Sequence, residues 1–132
     1  MNECKKVLIV DDDESIRETM QLALELRGYE VVTAGNGKEG IEALEHSPFP
    51  CVILLDLMMP VMDGWGFVER LERDPALGSI PVVVVTAFAE RADSIKAERV
   101  IAKPVTLEVL YKTVRSFCDG DSSTAHVTPA KA

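Results

Sequence analysis

The sequence contains five side chains whose types suit one kind of chemistry: the carboxylates of Asp11, Asp12 and Asp56, the hydroxyl of Thr86 and the ammonium of Lys103. Each follows an apolar run of strand length: Lys6 to Val10 leads into Asp11 and Asp12, Val52 to Leu55 into Asp56, Ile80 to Val85 into Thr86, and Arg99 to Ala102 into Lys103. Carboxylates held within a few ångströms of one another repel by several kcal/mol at an effective dielectric of ~20. A hard divalent cation removes that repulsion. Mg2+ takes oxygen ligands and keeps several waters, so two or three carboxylates leave coordination positions for a phosphoryl oxygen. One acid can then act as a nucleophile, because carboxylates form aspartyl-phosphates, and phosphoryl transfer needs mainly positioning and neutralisation of charge on the transferred oxygens. Mg2+, Lys103 and the Thr86 hydroxyl supply that neutralisation.

Each residue also has an ordinary structural explanation. Asp11, Asp12 and Asp13 precede a helix and suit N-capping, which is the role assigned to Asp13. Asp56 can serve a turn, although Leu57, Met58 and Met59 offer it no polar side chain. Thr86 can be one more β-branched strand residue, and Lys103 a solvated loop charge. Taken together, these explanations leave unexplained why every long central strand ends in a residue suited to a single Mg2+-phosphate site.

The elements that position these residues are legible from periodicity. Val52 to Leu55 has no polar alternation and reads as a strand buried on both faces, as does Val7 to Val10. Ser15 with Glu18 three residues later resembles a capping box, and Ile16, Met20, Ala23 and Leu24 recur at helical spacing until Gly28. Tyr29 to Ala34 is a short strand, followed by a helix bearing Ile41, Ala43 and Leu44 that ends near Ser47-Pro48. Pro60 and Asp63-Gly64 mark a turn, and Gly66 to Arg73 forms a third helix ended by Asp74-Pro75. Phe88 to Lys96 has helical composition over about two turns and predicts a short, mobile fourth helix. Leu107, Leu110, Tyr111, Val114 and Phe117 stripe a last helix. From Asp119 onward there is no periodicity, so residues 1–118 are expected to form one domain and 119–132 a disordered tail. Alternating buried strands and helices imply an α/β, doubly wound, five-stranded parallel sheet. Such sheets place their site outside the carboxyl ends of the strands.

Composition narrows the function. The 132 residues hold 14 Lys plus Arg against 22 Asp plus Glu, a formal charge of -8, which disfavours direct nucleic-acid or anionic-membrane binding. The longest apolar runs are too short to cross a bilayer, and a cytoplasmic protein is expected. Cys4, Cys51 and Cys118 are far apart in sequence and show no metal-ligand spacing, so they are expected to be reduced and without a role.

The residues around these strand ends resemble a response-regulator receiver domain: Val10-Asp11-Asp12, Leu55-Asp56-Leu57-Met58-Met59-Pro60 with Asp63-Gly64, Ala34-Gly35-Asn36-Gly37, Val85-Thr86-Ala87 and Lys103-Pro104. The likeness runs from about residue 5 to residue 118 and implies a flavodoxin-like fold with strand order 2-1-3-4-5. It implies that Asp56 accepts a phosphoryl group from a sensor histidine kinase or phosphotransfer protein. It also implies that Asp12, Asp56 and the Met58 carbonyl hold Mg2+ with Asp11 assisting, that Thr86 and Lys103 hold the phosphoryl group, and that the Lys103-Pro104 bond is cis. The protein is then a switch signalling to a downstream protein, not an enzyme beyond its own aspartyl phosphorylation and dephosphorylation. Because no sequence of domain size follows Phe117, a stand-alone receiver is expected.

Two features depart from the family pattern. Val100 stands where the family carries an aromatic ring that rotates on activation, and the interval from Thr86 to Lys103 is short by roughly one helical turn. Both support an alternative, a degenerate receiver acting as a phosphorylation-independent scaffold, while the complete acid, threonine and lysine set opposes it. A Mg2+-dependent phosphohydrolase of the haloacid-dehalogenase type needs a second acid where Met58 stands. A nucleotide-binding domain needs a glycine-rich first turn, and residues 11–15 contain no glycine.

Overall fold

The computed structural model describes residues 5–47 and 49–118; the predicted disordered tail lies outside them. The elements are β1 (Lys6–Val10), α1 (Glu14–Glu25), β2 (Glu30–Ala34), α2 (Gly37–His46), β3 (Val52–Leu55), α3 (Gly64–Glu72), β4 (Val82–Thr86), β5 (Arg99–Ala102) and α4 (Leu107–Cys118), with 3-10 turns at Leu77–Ser79 and Ala89–Ser94. All five strands are parallel in the order β2-β1-β3-β4-β5, as expected. Among the described residues no helix is long and apolar enough to cross a membrane.

Strand alternation divides the buried residues between two cores. Leu8, Val10, Ile53, Leu55, Val82 and Val84 face α2 and α3 and meet Ile41, Leu44, Phe67 and Leu71. Val7, Ile9, Val52, Leu54, Val83 and Val85 face α1 and α4 and meet Met20, Leu24, Leu110 and Val114. This is why β1, β3 and β4 read as unbroken apolar runs: neighbouring residues point to opposite faces and both faces are covered. Each Leu, Val or Phe buried this way contributes about 1.5–3 kcal/mol, ample to hold charged groups at the strand ends.

Local signals set the helix ends. The Asp13 side chain accepts from Ile16 N and caps α1, the role expected of it, and the Ser15–Glu18 pair that resembles a capping box lies within the helix. Asn36 caps α2 and Asp63 caps α3 in the same manner. Gly28 follows α1 with φ of +92°, a conformation glycine adopts without steric cost.

Residues Ala89–Ser94 form the expected short helix, of the 3-10 type. One expectation is corrected. Cys51 and Cys118 are disulfide-bonded, with Cα atoms 5.2 Å apart, within the range this bond requires. The parallel fold brings the start of β3 and the end of α4 together, a proximity that their separation of 67 residues conceals.

Candidate functional site

The site forms where β1, β3, β4 and β5 end. Asp11 and Asp56 are 1% and 8% exposed, while Asp12 is exposed. Oxygens of the three carboxylates lie within 4.8 Å of one another. These are hard oxygen donors around a small space, the donor set Mg2+ prefers, and so the residues fit that ion.

Lys103 arrives from the end of β5, where its backbone N–H donates to Thr86 O at 2.9 Å and its peptide bond to Pro104 is cis. Its Nζ donates to Asp11 Oδ2 at 2.8 Å and to Asp56 Oδ2 at 3.3 Å. One ammonium therefore ties two strands' acids together. Asp56 is held on its other oxygen as well: Leu57 N–H donates to Oδ1 at 2.7 Å. Although the residues after Asp56 lack polar side chains, the backbone supplies its partner.

Three acids facing one lysine leave the cluster with excess negative charge, and its proton affinities follow. Burial raises the Asp11 carboxyl above the ordinary carboxylate range, outweighing the hydrogen bonds from Lys103 and from the Asp13 N–H, and the Asp56 charge adds to the rise. For Lys103, burial works to lower the pKa, but the hydrogen bond and charge of Asp11, joined by those of Asp56, outweigh it and raise the value. The ammonium is thus firmly charged, and Asp11 ionises reluctantly until a further cation arrives.

The remaining members are placed by their strands. Thr86 is fully buried at the end of β4, and its Oγ1 accepts from Phe88 N at 3.1 Å. Met58 and Phe88 are 38% and 40% exposed and stand on the two loops that flank the cleft. Gly64 closes the loop after Asp56: its N–H donates to Leu57 O at 2.8 Å, and a Cβ there would lie 2.7 Å from the Asp56 carbonyl oxygen. Only a residue without a side chain permits that approach. Val100 is 40% exposed on β5.

Three contacts were outside the sequence reading. Arg17 Nη1 donates to Asp11 O at 2.8 Å and braces the acidic loop from α1; its position one turn into the helix was the available signal. Val61 has φ of +70° within a three-residue turn in which Met62 N donates to Pro60 O at 2.7 Å, and a valine gives no hint of that conformation. Arg91 Nη1 stands 4.0 Å from Met58 Sδ, a proximity set by the 3-10 turn.

A doubly wound sheet with an acidic cluster, a threonine and a lysine at its strand ends is the arrangement of the receiver class. The response regulator receiver domain pattern matches residues 7–115, and the chain belongs to that family. It is 38% identical over 120 residues to a probable transcriptional regulator, ycf27, of Cyanophora paradoxa, covering 86% of this chain and 48% of that protein. The chain thus spans about half the length of several curated relatives. It is also 32% identical to the protein PilH of Pseudomonas aeruginosa, covering 87% of this chain and 98% of that one. The crystal structure of response regulator TrrA from Thermotoga maritima, in complex with Mg2+ and BeF, matches with a TM-score of 0.76 at 26% identity, covering 86% of this chain and 98% of that one.

Proposed function

We propose that Asp56 is the phosphoacceptor of a signalling switch, taking a phosphoryl group from a phosphohistidine on a sensor histidine kinase or phosphotransfer protein. The observation that carries this reading is the pairing of Lys103 with both Asp11 and Asp56 at the strand ends, which holds the nucleophile beside a cation and beside the acids that suit Mg2+. Asp56 Oδ2 forms the new bond to phosphorus while the N–P bond of the donor breaks, and the electron pair stays on that nitrogen, so the imidazole leaves neutral with the proton already held on its other ring nitrogen. Lys103 moves from the carboxylate to a phosphoryl oxygen, and Thr86 turns its hydroxyl toward another. Asp11, Asp12, Asp56 and the Met58 carbonyl would hold Mg2+, which supplies charge neutralisation during transfer.

One groove supports docking of such a donor. A groove of about 480 Å³ opens beside Lys103 between α1 and the start of α4, walled by Ile16, Met20, Val105, Leu107 and Leu110. Its apolar lining suits a helix of the donor carrying the phosphohistidine. The charge of -8 argues for output through a protein rather than through direct contact with nucleic acid, and the proposed setting is cytoplasmic. Met58 and Phe88 offer no group to orient an attacking water, so the aspartyl-phosphate is expected to be long-lived.

The scaffold alternative draws on Val100, which has no ring to rotate. The two readings separate in an NMR titration of the Mg2+-loaded protein with beryllofluoride. The switch reading predicts shifts at residues 56–58, 86–88 and 103 and along β5; a spectrum that does not change assigns the domain to the scaffold role.

A further inference from the structure

The turn that replaces the fourth helix brings a cation to the mouth of the cleft. The Ala89–Ser94 turn begins directly after Phe88, and Arg91 N donates to Phe88 O at 2.9 Å. The Arg91 guanidinium lies against residues of both flanking loops: Nη1 is 4.0 Å from Met58 Sδ, and the central carbon is 5.6 Å from the centre of the Phe88 ring. Its neighbours Glu90 and Asp93 form no ion pair with it, nor does any other carboxylate among the described residues. An exposed fork with five donors therefore rests on a thioether and a ring, with its donors facing water and no carboxylate.

We propose that Arg91 is a second phosphoryl-contacting cation: when Asp56 carries a phosphoryl group, the guanidinium leaves Met58 and Phe88 and donates to the outer phosphoryl oxygens. This inference rests on the reading of Asp56 as the phosphoacceptor. The phosphoryl group adds negative charge to a cluster that already exceeds its cation, and Lys103 alone spans Asp11 and Asp56. Among the described residues, Arg91 is a cation set against both flanking loops, at Met58 and at Phe88. A guanidinium matches phosphoryl oxygens two at a time, which an ammonium does not, and the contacts it gives up are weak. The shortened segment thus gains a role: it covers the phosphoryl group in place of a polar residue at Met58 or Phe88.

The test compares wild type with Arg91→Gln, Arg91→Lys and, as a control on the same segment, Lys96→Gln, whose lysine pairs with Glu72 away from the cleft. Beryllofluoride is titrated at saturating Mg2+ and followed by NMR, with Mg2+ affinity measured separately without fluoride. Arg91→Gln is expected to weaken beryllofluoride binding about tenfold and Arg91→Lys about threefold. Lys96→Gln leaves binding unchanged, and Mg2+ affinity is not weakened in any variant. The aspartyl-phosphate formed from acetyl phosphate should also decay faster in Arg91→Gln. Beryllofluoride binding to Arg91→Gln within twofold of a wild type that binds well overturns the role of Arg91 and leaves Asp56 untouched. Parallel loss of Mg2+ affinity also overturns it, by showing that the substitution disturbs the loop. A wild type that takes up no beryllofluoride overturns the reading of Asp56 and this inference with it.

Discussion

Replacing Lys103 by methionine isolates the electrostatic core of the site. The ammonium stands 2.8 Å from Asp11 and 3.3 Å from Asp56, and at an effective dielectric of ~20 those distances correspond to about 5–6 kcal/mol of gross attraction each. Removing Nζ from water offsets much of it, and breaking a buried pair costs about 3–5 kcal/mol in practice. The carboxylate oxygens left behind, within 4.8 Å of one another, repel by about 3.5 kcal/mol per pair at the same dielectric if all stay ionised. Lys103→Met should therefore lose about 3–5 kcal/mol in EDTA, near 2 M in urea midpoint for a domain whose m-value is about 2 kcal/mol/M. Mg2+ supplies the missing positive charge, so the deficit should shrink in saturating Mg2+, and Lys103→Met should bind Mg2+ more tightly than wild type. The assay is urea unfolding followed by Trp65 fluorescence, with and without Mg2+. A loss below about 1 kcal/mol in EDTA, or an equal loss with and without Mg2+, refutes the idea that Lys103 serves as the resident counter-charge of the acidic cluster.

Other consequences can be checked on the same protein. The raised Asp11 pKa means the folded state binds that proton more tightly than the unfolded chain. Its stabilising effect is present at low pH and is lost as pH rises through the folded value. Asp11→Asn should accordingly be more stable than wild type at neutral pH in EDTA while binding Mg2+ more weakly; a less stable variant contradicts the burial argument. The Lys103 contribution has the same direction in a different window, holding through neutral pH and fading only as alkaline pH approaches its raised value. Opening the Cys51–Cys118 bond, which closes a separation of 67 residues, should cost about 4 kcal/mol by chain entropy. Scanning calorimetry of Cys51→Ser should show it, and a melting temperature insensitive to reductant would count against the linkage. Val61→Gly should raise stability by about 0.5–1 kcal/mol by relieving the positive φ, measured as a higher urea midpoint; a lower midpoint means valine packing matters more than backbone conformation.

The strands and the residues at their ends were legible because the information is local: Val7 to Val10, Val52 to Leu55 and Val82 to Val85 are apolar on both faces, and each stops at a polar residue suited to phosphate. Parallel topology then brings those ends together, so Asp11, Asp12, Asp56, Thr86 and Lys103 could be grouped before any coordinates. What escaped was set by three-dimensional proximity or by backbone geometry. Cys51 and Cys118 carry no sequence mark of their pairing, and their number suggested the opposite. Short length in residues 88–96 was visible, but not that the chain would tighten into a 3-10 turn and set Arg91 against Met58. At the start of α1 the N-cap role expected of Asp13 is the one used, while the capping-box pattern at Ser15 and Glu18 falls inside the helix.

The claim on which the rest depends is that Asp56 is the nucleophile of a Mg2+-assisted phosphoryl transfer. Intact-mass analysis after incubation with acetyl phosphate tests it directly, on wild type and Asp56→Asn, each with Mg2+ and with EDTA. Wild type in Mg2+ should gain the mass of one phosphoryl group, while the EDTA sample and Asp56→Asn should gain none. Modification of Asp56→Asn to the wild-type extent, or no modification of wild type in Mg2+, would contradict the account.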